Sequence, residues 1–148
     1  MTREAVGDNS ADRYVVSQRK SQLFPTIVAA ACRLRCLPVW RDREAVDPSS
    51  VSEAINDAVL QLAFFCDGEL NATLDRMLAA VHARVETVRQ IQANSRPGFG
   101  GKVDETVRAD DESGRRQLDH AITAFVDAAR ADLGICGSWT PLSPAEAS

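Results

Sequence analysis

The sequence predicts an all-α fold, a compact bundle of four to five helices with a flexible Gly/Pro loop before the last helix. Three observations carry that expectation. Apolar residues recur every three to four positions along most of the 148-residue chain, the spacing that lines one face of a helix. No alternating β-branched run stands out, and aromatic residues are only 5% of the chain. The periodic stretches are separated by proline and glycine clusters, which punctuate helices.

The elements follow in chain order. Residues 1–10 read as a disordered tail, and 11–134 as a single helical-bundle domain of ordinary size. A first helix is expected over 11–22, with Ser10 as its cap and Val15 and Val16 as its only strong apolar positions. Pro25 then interrupts, because its ring removes an N–H and suits the first turn of a new helix. That second helix runs over about 25–37. Leu23, Ile27, Ala30, Ala31 and Leu34 form one stripe, and Val28, Cys32 and Cys36 continue on a neighbouring face. A helix apolar on more than one side is usually covered on several. Pro38 ends it, and a charged connector follows over 41–47.

The clearest start signal comes next. Asp47-Pro48 precedes Ser50-Val51-Ser52-Glu53, a capping box in which serine and glutamate would satisfy free N–H groups reciprocally. Val51, Ile55, Ala58, Val59, Leu62 and Cys66 form its stripe, and Gly68 marks its end. The longest helix is expected over 69–94, on the order of 40 Å. Its short junction with the preceding helix favours an antiparallel hairpin. Residues 95–110, with Pro97, Gly98, Gly100 and Gly101, read as a mobile loop of about 15 residues. The last helix covers about 111–133, with Leu118, Ile122, Phe125, Val126 and Ala129 on one face and Gly134 as its stop. Residues 135–148, with Trp139 and two prolines, read as a surface tail.

Composition narrows the function classes. The net charge of -4 argues against a dedicated duplex-DNA binder, whose affinity comes from neutralising phosphates. The polar N-terminus lacks an apolar signal region, and no apolar run approaches the ~20 residues that span a bilayer. A cytoplasmic chain without membrane contact is the expectation. Four cysteines are too few for a small disulfide scaffold, so Cys32, Cys36 and Cys66 are expected as buried free thiols.

The sequence offers little catalytic chemistry. Gly101-Lys102 resembles the end of a phosphate loop only superficially, since Arg96 stands where the first glycine belongs and Val103 where a hydroxyl belongs. His82 and Glu86 share a helix face, but a metal site needs three or four ligands and no Glu-x-x-His pair is present. Cys32-x-x-x-Cys36 has no second Cys/His pair at finger spacing. No cofactor and no metal are therefore expected. An enzymatic alternative is a metal-independent ribonuclease of the HEPN type, with an Arg/His pair from Arg76 and His82 or Arg115 and His120. There the histidine would move the proton and the arginine would stabilise the developing charge. An RNA-contacting subunit using Arg33, Arg35, Arg41 and Arg43 is a further alternative.

The feature that points to partners lies off the main stripes. Leu60 and Phe64 sit at i, i+4 on roughly the opposite face of their helix. They belong either to a central helix covered on all sides or to an exposed patch that joins another chain. The favoured expectation is a non-enzymatic protein that binds another protein, or itself as a homo-oligomer. It would serve as a small accessory subunit or inhibitor of a larger complex, with Leu60, Phe64, Val28 and Cys32 at the interface.

Overall fold

Burying four apolar stripes against one another leaves few arrangements, and the chain adopts the simplest, an up-down-up-down bundle. The computed structural model describes residues 2–135, the side chains of 2–10 excepted. Four helices occur among the described residues: α1 (Thr2–Cys36), α2 (Ser49–Leu62), α3 (Gly68–Asn94) and α4 (Glu105–Asp132). A two-stranded antiparallel hairpin, β1 (Trp40–Arg41) and β2 (Glu44–Ala45), links α1 to α2. Short 3₁₀ turns occupy Ala63–Phe65 and Phe99–Gly101.

Polar contacts between neighbours fix the directions. Arg19 of α1 donates to Gln61 of α2 at 2.6 Å, and Arg89 of α3 to Ser49 of α2. Arg84 of α3 meets Asp111 of α4 at 2.6 Å, and Lys20 of α1 meets Asp132 of α4 at 2.9 Å. Consecutive helices are therefore antiparallel, and α4 returns to lie beside α1. Inside the ring lie Ile27, Leu34, Ile55, Leu62, Leu74, Met77, Val81, Leu118, Ile122 and Phe125. Phe24 packs edge-on against Phe125, with ring centroids 5.7 Å apart, the offset geometry that the ring quadrupole favours. A smaller cluster of Val39, Trp40, Val88 and Ile91 lies under the hairpin. Gln92 holds the hairpin from below, donating to the carbonyls of Val39 (2.9 Å) and Val46 (2.7 Å).

Four sequence expectations need correction. Pro25 does not divide the first helix, and the helical backbone already begins at Thr2 instead of after a tail of ten residues. Pro25 is exposed, while Leu23, Phe24 and Ile27 on either side are buried. Packing on both flanks outweighs the one helical hydrogen bond that proline forfeits. The capping box Ser50/Glu53 is not formed. The side chain of Asp47 instead accepts the Ser49 N–H at 2.9 Å. Pro48 already has helical angles (φ −79°, ψ −8°), so it fills the first-turn position where its missing N–H costs nothing.

The third correction concerns residues 95–110. α4 begins at Glu105, capped by Asp104, whose side chain accepts the Thr106 N–H at 2.9 Å. The remaining loop is closed on itself by Gly98 N–H to Lys102 C=O at 2.8 Å and Gly101 N–H to Gly98 C=O at 3.1 Å. A Cβ on Gly101 would lie 2.8 Å from the Asp42 nitrogen, and its φ is +76°. Only glycine fits that approach. The fourth is Cys36, which is exposed, whereas Cys32 and Cys66 are half-buried. The expected surface tail lies outside the described residues beyond Ile135.

One charged group sits where a leucine would be expected. Arg84 follows Val81 by three and precedes Val88 by four on the α3 stripe, and it is fully buried. Its guanidinium meets Asp111 and donates to the Leu37 carbonyl at 3.3 Å. Asp111 also takes Arg115 at 3.2 Å, and Arg115 donates to the carbonyls of Arg35 (2.9 Å) and Leu37 (3.1 Å). The last carbonyls of a helix lack internal donors. Here two arginines from α3 and α4 satisfy those at the end of α1. Burial pulls the Arg84 guanidinium below its ordinary range, and Asp111 opposes the shift.

Two stability outcomes follow. Asp111→Ala leaves Arg84 buried without its counter-charge and is expected to cost about 3–5 kcal/mol in urea unfolding. Replacing both partners by apolar residues, Arg84→Met with Asp111→Leu, recovers at least half of that loss. A loss under about 1 kcal/mol for Asp111→Ala, the range of surface pairs, would remove this pair as a constraint. The second outcome concerns acid. Hydrogen bonds from the Ser49 and Thr106 backbone N–H groups hold the Asp47 and Asp104 carboxyls below the usual carboxylate range. Their contribution is complete above about pH 4, where the unfolded carboxylates are ionised, and is lost as pH falls through the lowered folded values. Asp47→Ala and Asp104→Ala should each unfold at a lower temperature than the parent at neutral pH, with the gap closing below about pH 4.

Candidate interaction surface

α2 buries Ile55, Ala58, Val59 and Leu62 on its inner side. Residues off that stripe have nowhere to go but outward. Leu60 is 67% exposed, and Phe64, in the 3₁₀ turn that follows, is 88% exposed. The covered-helix alternative for this pair is thereby overturned. Both residues lie at the end of the bundle where Gln61 meets Arg19.

α1 does not stop at that end. It continues back from Arg19 to Thr2, roughly 25 Å of helix at 1.5 Å per residue. Val15 precedes Arg19 by one turn and so shares its flank. The antiparallel pairing of Arg19 with Gln61 sets Val15 level with the turn that carries Phe64. Val15 and Tyr14 are both well exposed. The bundle end therefore presents Leu60 on α2, Phe64 on the turn after it, and Tyr14 and Val15 on α1.

The other two expected interface residues lie elsewhere. Val28 is half-buried and lines a groove between α1 and α4, not α2. Cys32, one turn further along α1, is half-buried against the main core. Sequence reasoning also missed Phe99, which is 97% exposed at the opposite end of the bundle. The glycine-built turn that carries it stands beside Asp42 and Arg43, with which it frames a cavity of about 470 Å³. An aromatic residue between glycines in a tight turn was the available signal.

The residues considered for catalysis and RNA contact are dispersed. His82 on α3 and His120 on α4 are exposed, as is Arg76. Arg115 is committed to Asp111 and to the end of α1. Arg35 pairs with Asp119. Arg41 and Arg43 are exposed on the hairpin but alternate there with Asp42 and Glu44. Among the described residues, no three His, Cys, Asp or Glu side chains are grouped so as to hold a metal ion.

The thiols differ in environment. Burial pushes both the Cys32 and the Cys66 thiol up, with nearby Arg35 and Lys20 respectively opposing it. Only the thiolate attacks an alkylating agent. With iodoacetamide at about pH 8, Cys36 should therefore be modified before Cys32 and Cys66, which react about tenfold more slowly. Peptide mapping by mass spectrometry would show the order. Equal rates at all three would contradict the burial described above.

The chain matches no protein-family model, and comparison with known proteins and with solved structures returns no match.

Proposed function

We propose that this protein acts by binding another protein through the apolar end formed by Leu60 and Phe64 with the projecting part of α1. It would serve as a small helical subunit or inhibitor of a larger assembly, or pair with a second copy of itself. The observation that carries this reading is the exposure of Leu60 and Phe64 beside a helix that outruns the bundle. Large apolar side chains clustered on a surface usually mark an interaction site. Burying Leu60, Phe64 or Val15 in a partner contributes about 1.5–3 kcal/mol each, set against an association cost of roughly 4–15 kcal/mol. A projecting helix adds a second wall to the flat patch, as in grooves that grip an amphipathic helix.

The alternatives have less behind them. His82, His120 and Arg76 are exposed, Arg115 is committed to Asp111 and the end of α1, and the hairpin arginines are interleaved with acids. No helix among the described residues is long and apolar enough to cross a membrane. Free thiols on α1 and at the α2–α3 turn suit a reducing, cytoplasmic setting.

The test is association measured by light scattering and by co-purification from the native host. Leu60→Asp with Phe64→Asp should abolish the complex while circular dichroism and the unfolding midpoint stay close to the parent. A double variant that unfolds would make this face part of the core. A folded double variant that still associates would move the interface elsewhere.

A further inference from the structure

We infer that the groove between the C-terminal half of α3 and the N-terminal half of α4 binds an extended peptide segment carrying a lysine or arginine. It lies toward the opposite end of the bundle from Leu60 and Phe64 and does not depend on their role.

The groove has a volume of about 390 Å³, within the roughly 300–1,000 Å³ of ligand sites. Ile91 and Val107 supply its apolar part, and the rest of its lining is polar or glycine. Those polar groups are largely unused. Among the described residues, Asn94, Asp110, Ser113 and Gln117 make no side-chain hydrogen bond or ion pair. Gln90 gives one N–H to Glu86 at 3.2 Å and keeps its second N–H and its carbonyl.

Gly114, in the groove wall, is an independent sign. It stands inside α4, where glycine is less favourable than alanine. Its backbone does not call for glycine, because its φ is not positive. Crowding does not call for it either. A Cβ there would lie in ordinary contact, 3.7 Å from the Arg84 side chain and 3.9 Å from that of Thr87. What the glycine preserves is open space beside Thr87, which lines the same groove.

The lining selects the ligand. Its walls, Thr87 to Asn94 and Asp110 to Gln117, each run about 10 Å, the length of about three extended residues. An extended chain turns its N–H and C=O groups alternately to its two sides. A side-chain amide carries both a donor and an acceptor, and the groove has amides on both walls, Gln90 and Asn94 on α3 and Gln117 on α4. Asp110 is the one charged group of the lining, and among the described residues no basic side chain pairs with it. A lysine or arginine of the peptide supplies that cation and lays its apolar stem on Ile91 and Val107. The lining has no basic residue for a phosphate and no aromatic ring for a base, which sets a nucleic acid aside.

The experiment is selection of a displayed library of random nonapeptides on the full chain, followed by anisotropy titration of individual labelled peptides. The expected pool is enriched several-fold in lysine or arginine. Asp110→Lys, an exposed change checked by circular dichroism, removes that enrichment. Gln90→Ala with Gln117→Ala should raise the Kd of a selected peptide by about tenfold or more, as lost hydrogen bonds to its backbone require. Neither variant touches the Leu60/Phe64 end. A pool without basic residues would overturn the proposal, and so would peptides that bind Asp110→Lys as tightly as the parent. Displacement by spermidine at concentrations near the peptide's own Kd would also overturn it, because the groove would then recognise an amine and not a chain.

Discussion

The bundle depends on how one buried ion pair, Arg84 with Asp111, is handled. Arg84 sits in the middle of the α3 stripe without contact to solvent, a placement that would be ruinous alone. Asp111 neutralises it, and the cluster then does something an apolar residue cannot. It supplies donors to the open carbonyls at the end of α1 from two other helices at once. Register follows from this. Sliding α4 by one turn would separate Asp111 from Arg84 and leave both buried. Apolar stripes alone tolerate such slips far better, since one leucine can replace another. Gly114 of α4 faces the same arginine. A methyl group at that position would lie 3.7 Å from the Arg84 side chain, so the arginine stem passes close beneath α4.

Much of the architecture was legible because each helix repeats its apolar residues with one period. Ile55–Ala58–Val59–Leu62 and Leu118–Ile122–Phe125–Val126 needed nothing beyond helical spacing. The errors share a cause, which is that local signals competed with contacts from distant parts of the chain. Pro25 is a strong local breaker, but Leu23, Phe24 and Ile27 are held by α2 and α4, so the helix passes through it. Ser50 and Glu53 form a good local capping pattern, yet Asp47 reached the free N–H from one turn earlier. The three glycines and the proline of residues 95–110 suggested a mobile loop. Only the hairpin, which lies about 60 residues away in sequence, shows that one of them is a point of close contact. Arg84 went unremarked in the sequence, and nothing local identified Asp111 as its partner.

The candidate surface was half legible for the same reason. Leu60 and Phe64 stand off the stripe in the sequence alone. Whether another helix covers them is a question about the ring of neighbours, and that ring leaves this side open. Val28 and Cys32 looked like members of the same patch because α1 is apolar on two faces. One of those faces turns toward α4 and forms a separate groove. The molecule is thus asymmetric. One end carries a long helix and bulky side chains in solvent, whereas the other is closed by the hairpin, the arginine cluster and a compact glycine turn.

That closed end behaves as one joint built from two crossings. The Gly101 backbone rests against Asp42 and Trp40 of the hairpin so closely that a single added carbon would collide with it. A residue inserted in either crossing must therefore displace both, and with them the lid over Val88 and Ile91. The 63–67 crossing has no such counterpart among the described contacts. A domain fused within the chain would disturb the helical scaffold least there, at the cost of masking Phe64.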